Sequence, residues 1–128
     1  MGLRVATIVG GMDMVYQGRE LASNPHIVVA TPGRLADHLD SCDTFSLKNV
    51  DCLVVDEADR LLDGRFDDQL TTVFAALPRK RQTLLFSATI TDTLARLREV
   101  ALNNVRLPFM IAIAPRDAVA LVHRTFWG

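Results

Sequence analysis

At 128 residues, this chain is long enough for one compact domain with its own core and too short for two ordinary domains. Hydrophobic residues make up 49% and charged residues 23%, which is close to the soluble-protein average and excludes disordered, collagen-like and coiled-coil classes. Fourteen basic and fifteen acidic side chains give a net charge of -1, so any contact with a polyanion must be local.

Strand and helix patterns alternate along the chain. The predicted elements, in order, are strand 3–9, helix 12–22, strand 26–30, helix 35–39, strand 52–56, helices 57–62 and 67–77, strand 83–86 and helix 92–102. Such alternation indicates right-handed βαβ units. The predicted fold class is therefore α/β, a parallel sheet with helices on both faces.

Each of the four predicted strands is followed by polar or glycine-rich residues. In sheets of this class ligands bind beyond the carboxyl ends of the strands, so these residues are the first candidates for a site. A buried strand that delivers two adjacent carboxylates is typical of the Walker B arrangement, although a helix N-terminal cap explains Asp56 and Glu57 nearly as well. The four motifs are Gly10-Gly11, Thr31-Pro32-Gly33-Arg34, Asp56-Glu57-Ala58-Asp59 and Ser87-Ala88-Thr89.

These four motifs, in this order and at these spacings, resemble the DEAD-box RNA helicases. The resemblance runs from about residue 3 to residue 102, and it covers the later part of the family's first RecA-like lobe. Residues 10–14 and 31–39 are most similar to a subfamily associated with ribosome biogenesis. The resemblance predicts a partial helicase ATP-binding lobe at 1–102, an incomplete P-loop NTPase domain without its phosphate-loop strand, followed by a divergent C-terminal tail at 103–128.

For the nucleotide site, the resemblance implies ATP and Mg²⁺ as cofactors. Asp56 would act on Mg²⁺ through a water molecule, and Glu57 would position or activate the water that attacks ATP. Asp59 would contact Ser87 and Thr89, and this trio would couple hydrolysis to strand separation. These roles come from the family and are expectations for this chain.

For RNA, the resemblance implies contacts with the sugar-phosphate backbone of single-stranded or structured RNA. A guanidinium, a hydroxyl and close backbone approach at helix N-termini suit phosphates and carry no base reading. The residues that the family motif assigns to this role are Gly10, Gly11, Thr31, Gly33 and Arg34.

The sequence also departs from the family pattern. It contains no Gly-x-x-x-x-Gly-Lys-Ser/Thr loop, whose backbone amides and lysine hold nucleotide phosphates. The adenine-reading glutamine segment and the second lobe are missing as well. We therefore expect the core of an ATP-dependent RNA helicase that is truncated and inactive alone; the alternative is a non-catalytic lobe fragment that acts only as an RNA-binding or partner-binding module.

Two other classes fit the residues less well. A phosphoacceptor receiver domain would use Asp56 and Ser87, but it needs an acidic cluster where Gly10-Gly11 stands and a lysine beyond Lys80. A zinc site could be drawn from three histidines and two cysteines, but their spacings match no usual ligand pattern. The residues concerned are His26, His38, Cys42, Cys52 and His123.

The expected location is intracellular. Two cysteines without Cys-x-x-Cys spacing indicate a reducing compartment, and neither a signal peptide nor a membrane-spanning run is present. The subfamily resemblance narrows the location to the nucleus or nucleolus. It also implies a missing helicase lobe or protein cofactors as partners, besides RNA.

Overall fold

The computed structural model describes residues 2–43, 45–87 and 95–96, together with two strands at 109–112 and 119–123. In this part of the chain, six strands form a single sheet, and four helices with defined bounds accompany them. The elements are β1 (Val5–Ile8), α1 (Met14–Ala22), β2 (Ile27–Ala30), α2 (Pro32–Ser41), β3 (Val50–Val55), α3 (Ala58–Leu61), α4 (Asp67–Ala76), β4 (Gln82–Phe86), β5 (Phe109–Ala112) and β6 (Val119–His123).

The helices begin where the sequence supplies suitable first-turn residues. Asp13 caps α1, because its Oδ1 accepts hydrogen bonds from the backbone N–H of Val15 at 2.8 Å and of Tyr16 at 3.4 Å. Pro32 opens α2 at a position where its missing N–H costs nothing. Two acidic residues, Asp67 and Asp68, occupy the first turn of α4, where they complement the helix dipole.

The strand order is β1-β2-β6-β3-β4-β5. The pairs β1–β2, β3–β4 and β4–β5 are parallel, whereas β6 runs antiparallel to both of its neighbours. The predicted α/β class, with parallel strands joined by helices, is confirmed. The antiparallel strand β6 and the edge strand β5 were not predicted, since both lie in the segment treated as a tail.

Most other predicted boundaries agree with the structure to within a few residues. The predicted helix 35–39 is longer at both ends, because a proline starts it and Ser41 ends it. Of the predicted helix 92–102, only residues 95 and 96 are described, and they are helical. The division into a lobe at 1–102 and a tail at 103–128 stays a prediction.

The core lies on one face of the sheet. Alternate residues of β1, β2, β3 and β4 are buried on this face, and helix leucines pack among them, as the period-two pattern of a half-covered strand requires. Helices α2 and α4 contact each other, which ties the β2 side of the sheet to the β4 side. The buried strand residues are Ala6, Ile8, Val28, Ala30, Val50, Leu53, Val55, Thr83 and Leu85.

Candidate nucleic-acid interface

A cleft of about 750 Å³ lies at the carboxyl ends of β1, β2 and β3. It brings together residues from three of the four sequence motifs. The most distant of them, Gly10 and Asp56, are 46 positions apart in the sequence. The lining residues are Gly10, Ala30, Thr31, Pro32, Gly33, Arg34, Asp37, Asp56, Glu57, Arg60, Leu61, Arg65 and Phe66.

The acidic wall of the cleft is the turn between β3 and α3. Asp56 Oδ1 accepts a hydrogen bond of 2.9 Å from the backbone N–H of Glu57. Glu57 itself has a left-handed backbone, with φ 46° and ψ 46°. Its Oε2 lies 3.4 Å from Arg60 Nη1. The turn therefore holds two adjacent carboxylates at the cleft in a conformation that a residue with a Cβ adopts at a cost.

This backbone makes Glu57→Gly a test of stored strain. Glycine relieves a left-handed penalty of about 1–2 kcal/mol and adds about 0.5–1 kcal/mol of unfolded-state entropy, so the two effects nearly cancel. We expect urea denaturation to give an unchanged or slightly higher free energy of unfolding. Arg60→Gly, at an ordinary helical position, should instead lose about 1 kcal/mol. Equal losses in the two variants would contradict strain at Glu57.

The opposite wall is the start of α2. The backbone N–H of Thr31 donates to Ile8 O at 3.0 Å, which joins the end of β2 to the end of β1. Gly33 has open space where a side chain would stand, as Gly10 does. Gly11 has φ +80°, a conformation that favours glycine. Backbone is therefore accessible to a ligand in the cleft at Gly10 and Gly33, whereas Gly11 follows Gly10 outside the lining.

Arg34 connects this wall to the glycine loop, which is the segment 9–12 after β1. Its Nη1 donates to Met12 O at 2.8 Å and lies 3.5 Å from Gln17 Oε1. Gln17 is fully buried, and its amide donates to Val9 O at 2.8 Å. The loop from Val9 to Met12 is therefore held at both ends, by Gln17 and by Arg34.

His38 lies behind this loop and is only 2% exposed. Its Nε2 is 3.2 Å from Gln17 Oε1, and since that oxygen can only accept, Nε2 carries the proton. Burial and the nearby Arg34 guanidinium lower the pKa of His38, while Asp37 opposes them. His38 and Gln17 were missed as parts of the site, because nothing in their spacing signals a contact between residues 21 positions apart.

The lowered pKa of His38 predicts a loss of stability in mild acid. The unfolded chain binds the proton near pH 6.5 and the folded chain only at lower pH, so this contribution is complete above pH 6.5 and falls as the pH drops through the folded pKa. For one proton, the free energy of unfolding cannot change by more than about 1.4 kcal/mol per pH unit. Urea denaturation at several pH values should show a weaker dependence in His38→Gln. The same dependence in both proteins would contradict this assignment.

The outer wall of the cleft contains Arg60, Arg65 and Phe66, which the sequence motifs did not indicate. Arg65 Nε donates to Asp63 Oδ2 at 2.8 Å, and its guanidinium lies 5.8 Å from the centre of the Phe66 ring. The hydrogen bond from the Arg65 backbone N–H is the main reason that the pKa of Asp63 is lowered. The sequence did contain a hint of this wall, since Arg60 and Arg65 flank the turn that follows the acidic motif.

The three coupling residues are placed only in part. Asp59 is the second residue of α3 and is half-buried, and Ser87 is 1% exposed immediately after β4. Neither lines the cleft. Thr89 lies outside the described residues, so the coupling trio stays a prediction.

The described carboxylates suit a particular kind of Mg²⁺ site. Among these residues, no group of three His, Cys, Asp or Glu side chains could hold a metal ion by itself. Mg²⁺ is commonly held by one or two protein carboxylates together with substrate phosphates, and Asp56 fits that use.

No helix in the described ranges is long and apolar enough to cross a membrane.

Comparison with curated proteins finds helicases. The chain is 58% identical over 107 residues to the mouse protein named probable ATP-dependent RNA helicase DDX49, covering 81% of this chain and 22% of that protein. It is 49% identical over 120 residues to the ATP-dependent rRNA helicase RRP3 of Candida albicans, covering 94% and 22%. The chain thus spans about a fifth of the length of these relatives.

Solved structures and a family model agree with these relatives. A DEAD box protein from Methanococcus jannaschii superposes with a TM-score of 0.71 at 32% identity, over 89% of this chain and 30% of that one. The structure of Mss116p bound to ssRNA and AMP-PNP superposes with a TM-score of 0.66 at 34% identity, over 84% of this chain and 22% of that one. The DEAD/DEAH box helicase model matches residues 1–97. The resemblance seen in the motifs is confirmed, and this chain belongs to the DEAD/DEAH box helicase family.

Proposed function

We propose that this chain supplies an RNA-binding surface of an ATP-dependent RNA helicase, and that the cleft contacts the backbone of single-stranded RNA. The observation that carries the proposal is the meeting of Thr31-Pro32-Gly33-Arg34 with the wall formed by Arg60 and Arg65 in one cleft. Guanidinium groups and accessible backbone at a helix start suit phosphate oxygens. Gly10 adds room for close approach in the same cleft, and Gly11 would contact RNA beside it.

The acidic turn belongs to the nucleotide part of the proposal. In the complete helicase, Asp56 would hold Mg²⁺ through a water molecule and Glu57 would orient the attacking water. When bound, ATP would supply the phosphoryl group that is transferred, and Mg²⁺ would neutralise negative charge on the phosphate oxygens. Asp59 would contact Ser87 and Thr89, and this trio would couple ATP hydrolysis to strand separation.

The relatives support a finer assignment. One of them is named an rRNA helicase, so we propose a role in ribosome biogenesis and a location in the nucleus or nucleolus. A second helicase lobe or protein cofactors are the partners that we propose besides RNA. The alternative is a module that binds RNA or a partner without hydrolysing ATP.

Titration of fluorescent single-stranded RNA tests the proposal. We expect weak binding with the same affinity for oligo(U) and oligo(A), because backbone contacts carry no base information. Binding should weaken as salt rises, since released counterions contribute to affinity. A Thr31→Val variant removes one hydroxyl from the cleft and should bind less tightly, whereas Thr72→Val, in α4 and outside the cleft, is the matched control. Equal affinities for both variants and the unchanged chain would contradict the proposed surface.

A further inference from the structure

Strand β6 occupies an unusual position in the sheet. Strands β2 and β3 do not pair with each other, because β6 lies between them and pairs with both. It makes four register pairs with β2 and five with β3, all antiparallel. Within the sheet, β6 is therefore what joins the β1–β2 half to the β3–β4–β5 half.

The cleft spans the same division. Its α2 wall follows β2, and its acidic wall follows β3. Val119, the first residue of β6, pairs with both Ala30 and Val55, which are the last residues of β2 and β3. Thr31 and Asp56 follow directly. The beginning of β6 thus lies between the two walls.

We propose that β6 is a positioning element that sets the distance between the two walls of the cleft. With one strand between them, β2 and β3 lie about 9.5 Å apart, whereas direct pairing would bring them to about 4.8 Å and separation would widen the gap. A single RNA strand then contacts both the α2 wall and the arginines Arg60 and Arg65, which follow the acidic wall in the chain, only while β6 is in place. The RNA part of this inference rests on the proposed function, and the strand placement does not.

The native Cys52 allows the placement to be tested by cross-linking. Cys52 in β3 is the register partner of Val122 in β6. Residues directly opposite in an antiparallel pair have Cα atoms about 4.5–5.5 Å apart, which suits a disulfide. The chain with Cys42→Ser and Val122→Cys should form an intramolecular disulfide on oxidation. Mildly alkaline conditions are needed, because burial and Asp51 raise the pKa of the Cys52 thiol.

Leu121→Cys is the matched control for the cross-link. Leu121 pairs with Leu53, so its position belongs to the other face of the pleat and should give no disulfide with Cys52. No disulfide in the Val122→Cys chain, or equal yields in the two chains, would overturn the placement of β6.

Two proline variants test the positioning role. Val122→Pro disrupts β6, and Ile111→Pro disrupts β5, which lies at the sheet edge away from the cleft. We expect Val122→Pro to weaken RNA binding by about tenfold, the loss of one charge-assisted contact, while helix content by circular dichroism is retained. Ile111→Pro should leave RNA affinity nearly unchanged, and the oxidised disulfide chain should bind like the reduced one.

Equal losses of affinity in the two proline variants would overturn the positioning role and indicate a general loss of stability. An unmodified chain that binds no RNA, although the disulfide forms in the Val122→Cys chain, would refute the proposed function and leave the strand placement supported. The two failures are therefore distinguishable.

Discussion

Arg34→Ala is expected to weaken binding of single-stranded RNA by about tenfold or more, because it removes a charge-assisted contact worth about 1.5–3 kcal/mol. It also removes the hydrogen bond to Met12 O that holds the glycine loop. The salt dependence should become shallower by about 0.7 in the log–log slope, the value for one phosphate of a single strand. Fluorescence anisotropy at several salt concentrations measures both effects.

Two controls separate this site from general basic attraction. Arg34→Lys keeps the charge and should keep most of the salt slope, but it loses the planar geometry that serves RNA and Met12 O together. Arg79 and Lys80 are exposed and lie before β4, at the opposite end of the sheet from the cleft. Their double alanine variant should bind normally. Loss of binding in that variant alone would contradict the cleft assignment.

Arg81 is kept out of that control because it has a structural role. Its Nη1 donates to Pro78 O at 2.7 Å, and its guanidinium lies 5.8 Å from the centre of the Phe74 ring. Burial lowers the pKa of this side chain. A triple variant that includes Arg81 would therefore mix lost charge with lost packing.

No ATP hydrolysis is expected from these 128 residues alone, even with RNA present. Asp56 and Glu57 are in the cleft, but the sequence contains no glycine-lysine loop to hold the phosphates for in-line attack. Phosphate release measured with a coupled assay should equal the rate without protein. Release above that rate that disappears in Glu57→Gln would contradict the prediction.

Much of the fold could be predicted because its local signals agree with the tertiary structure. The four β-branched runs that precede turn residues became β1, β2, β3 and β4. The segment Val119–His123 carries no turn signal and pairs with strands far away in the sequence, so its place in the sheet depends on contacts that periodicity does not record. A right-handed βαβ pattern also gives no reason to expect an antiparallel insertion.

The cleft could be predicted in outline from one rule, that strand ends in an α/β sheet meet at one edge. That rule grouped Gly10, Thr31, Arg34 and Asp56 correctly in space, while their roles stay predictions. It could not reveal that Gln17 is buried beneath the loop, because a glutamine in an amphipathic helix normally faces solvent. Only the packed structure shows the Val9 carbonyl that it satisfies.

The central position of β6 also affects the order in which the molecule folds. Ala30 pairs with Val119, 89 residues further along the chain, so the ribosome has to release most of the sequence before β2 gains this neighbour. Until then, the facing edges of β2 and β3 expose unpaired amides and carbonyls, which invite pairing with other chains. Contacts this distant in sequence slow folding. We therefore expect refolding yield to depend on protein concentration, with aggregation favoured during the interval before the last strand inserts.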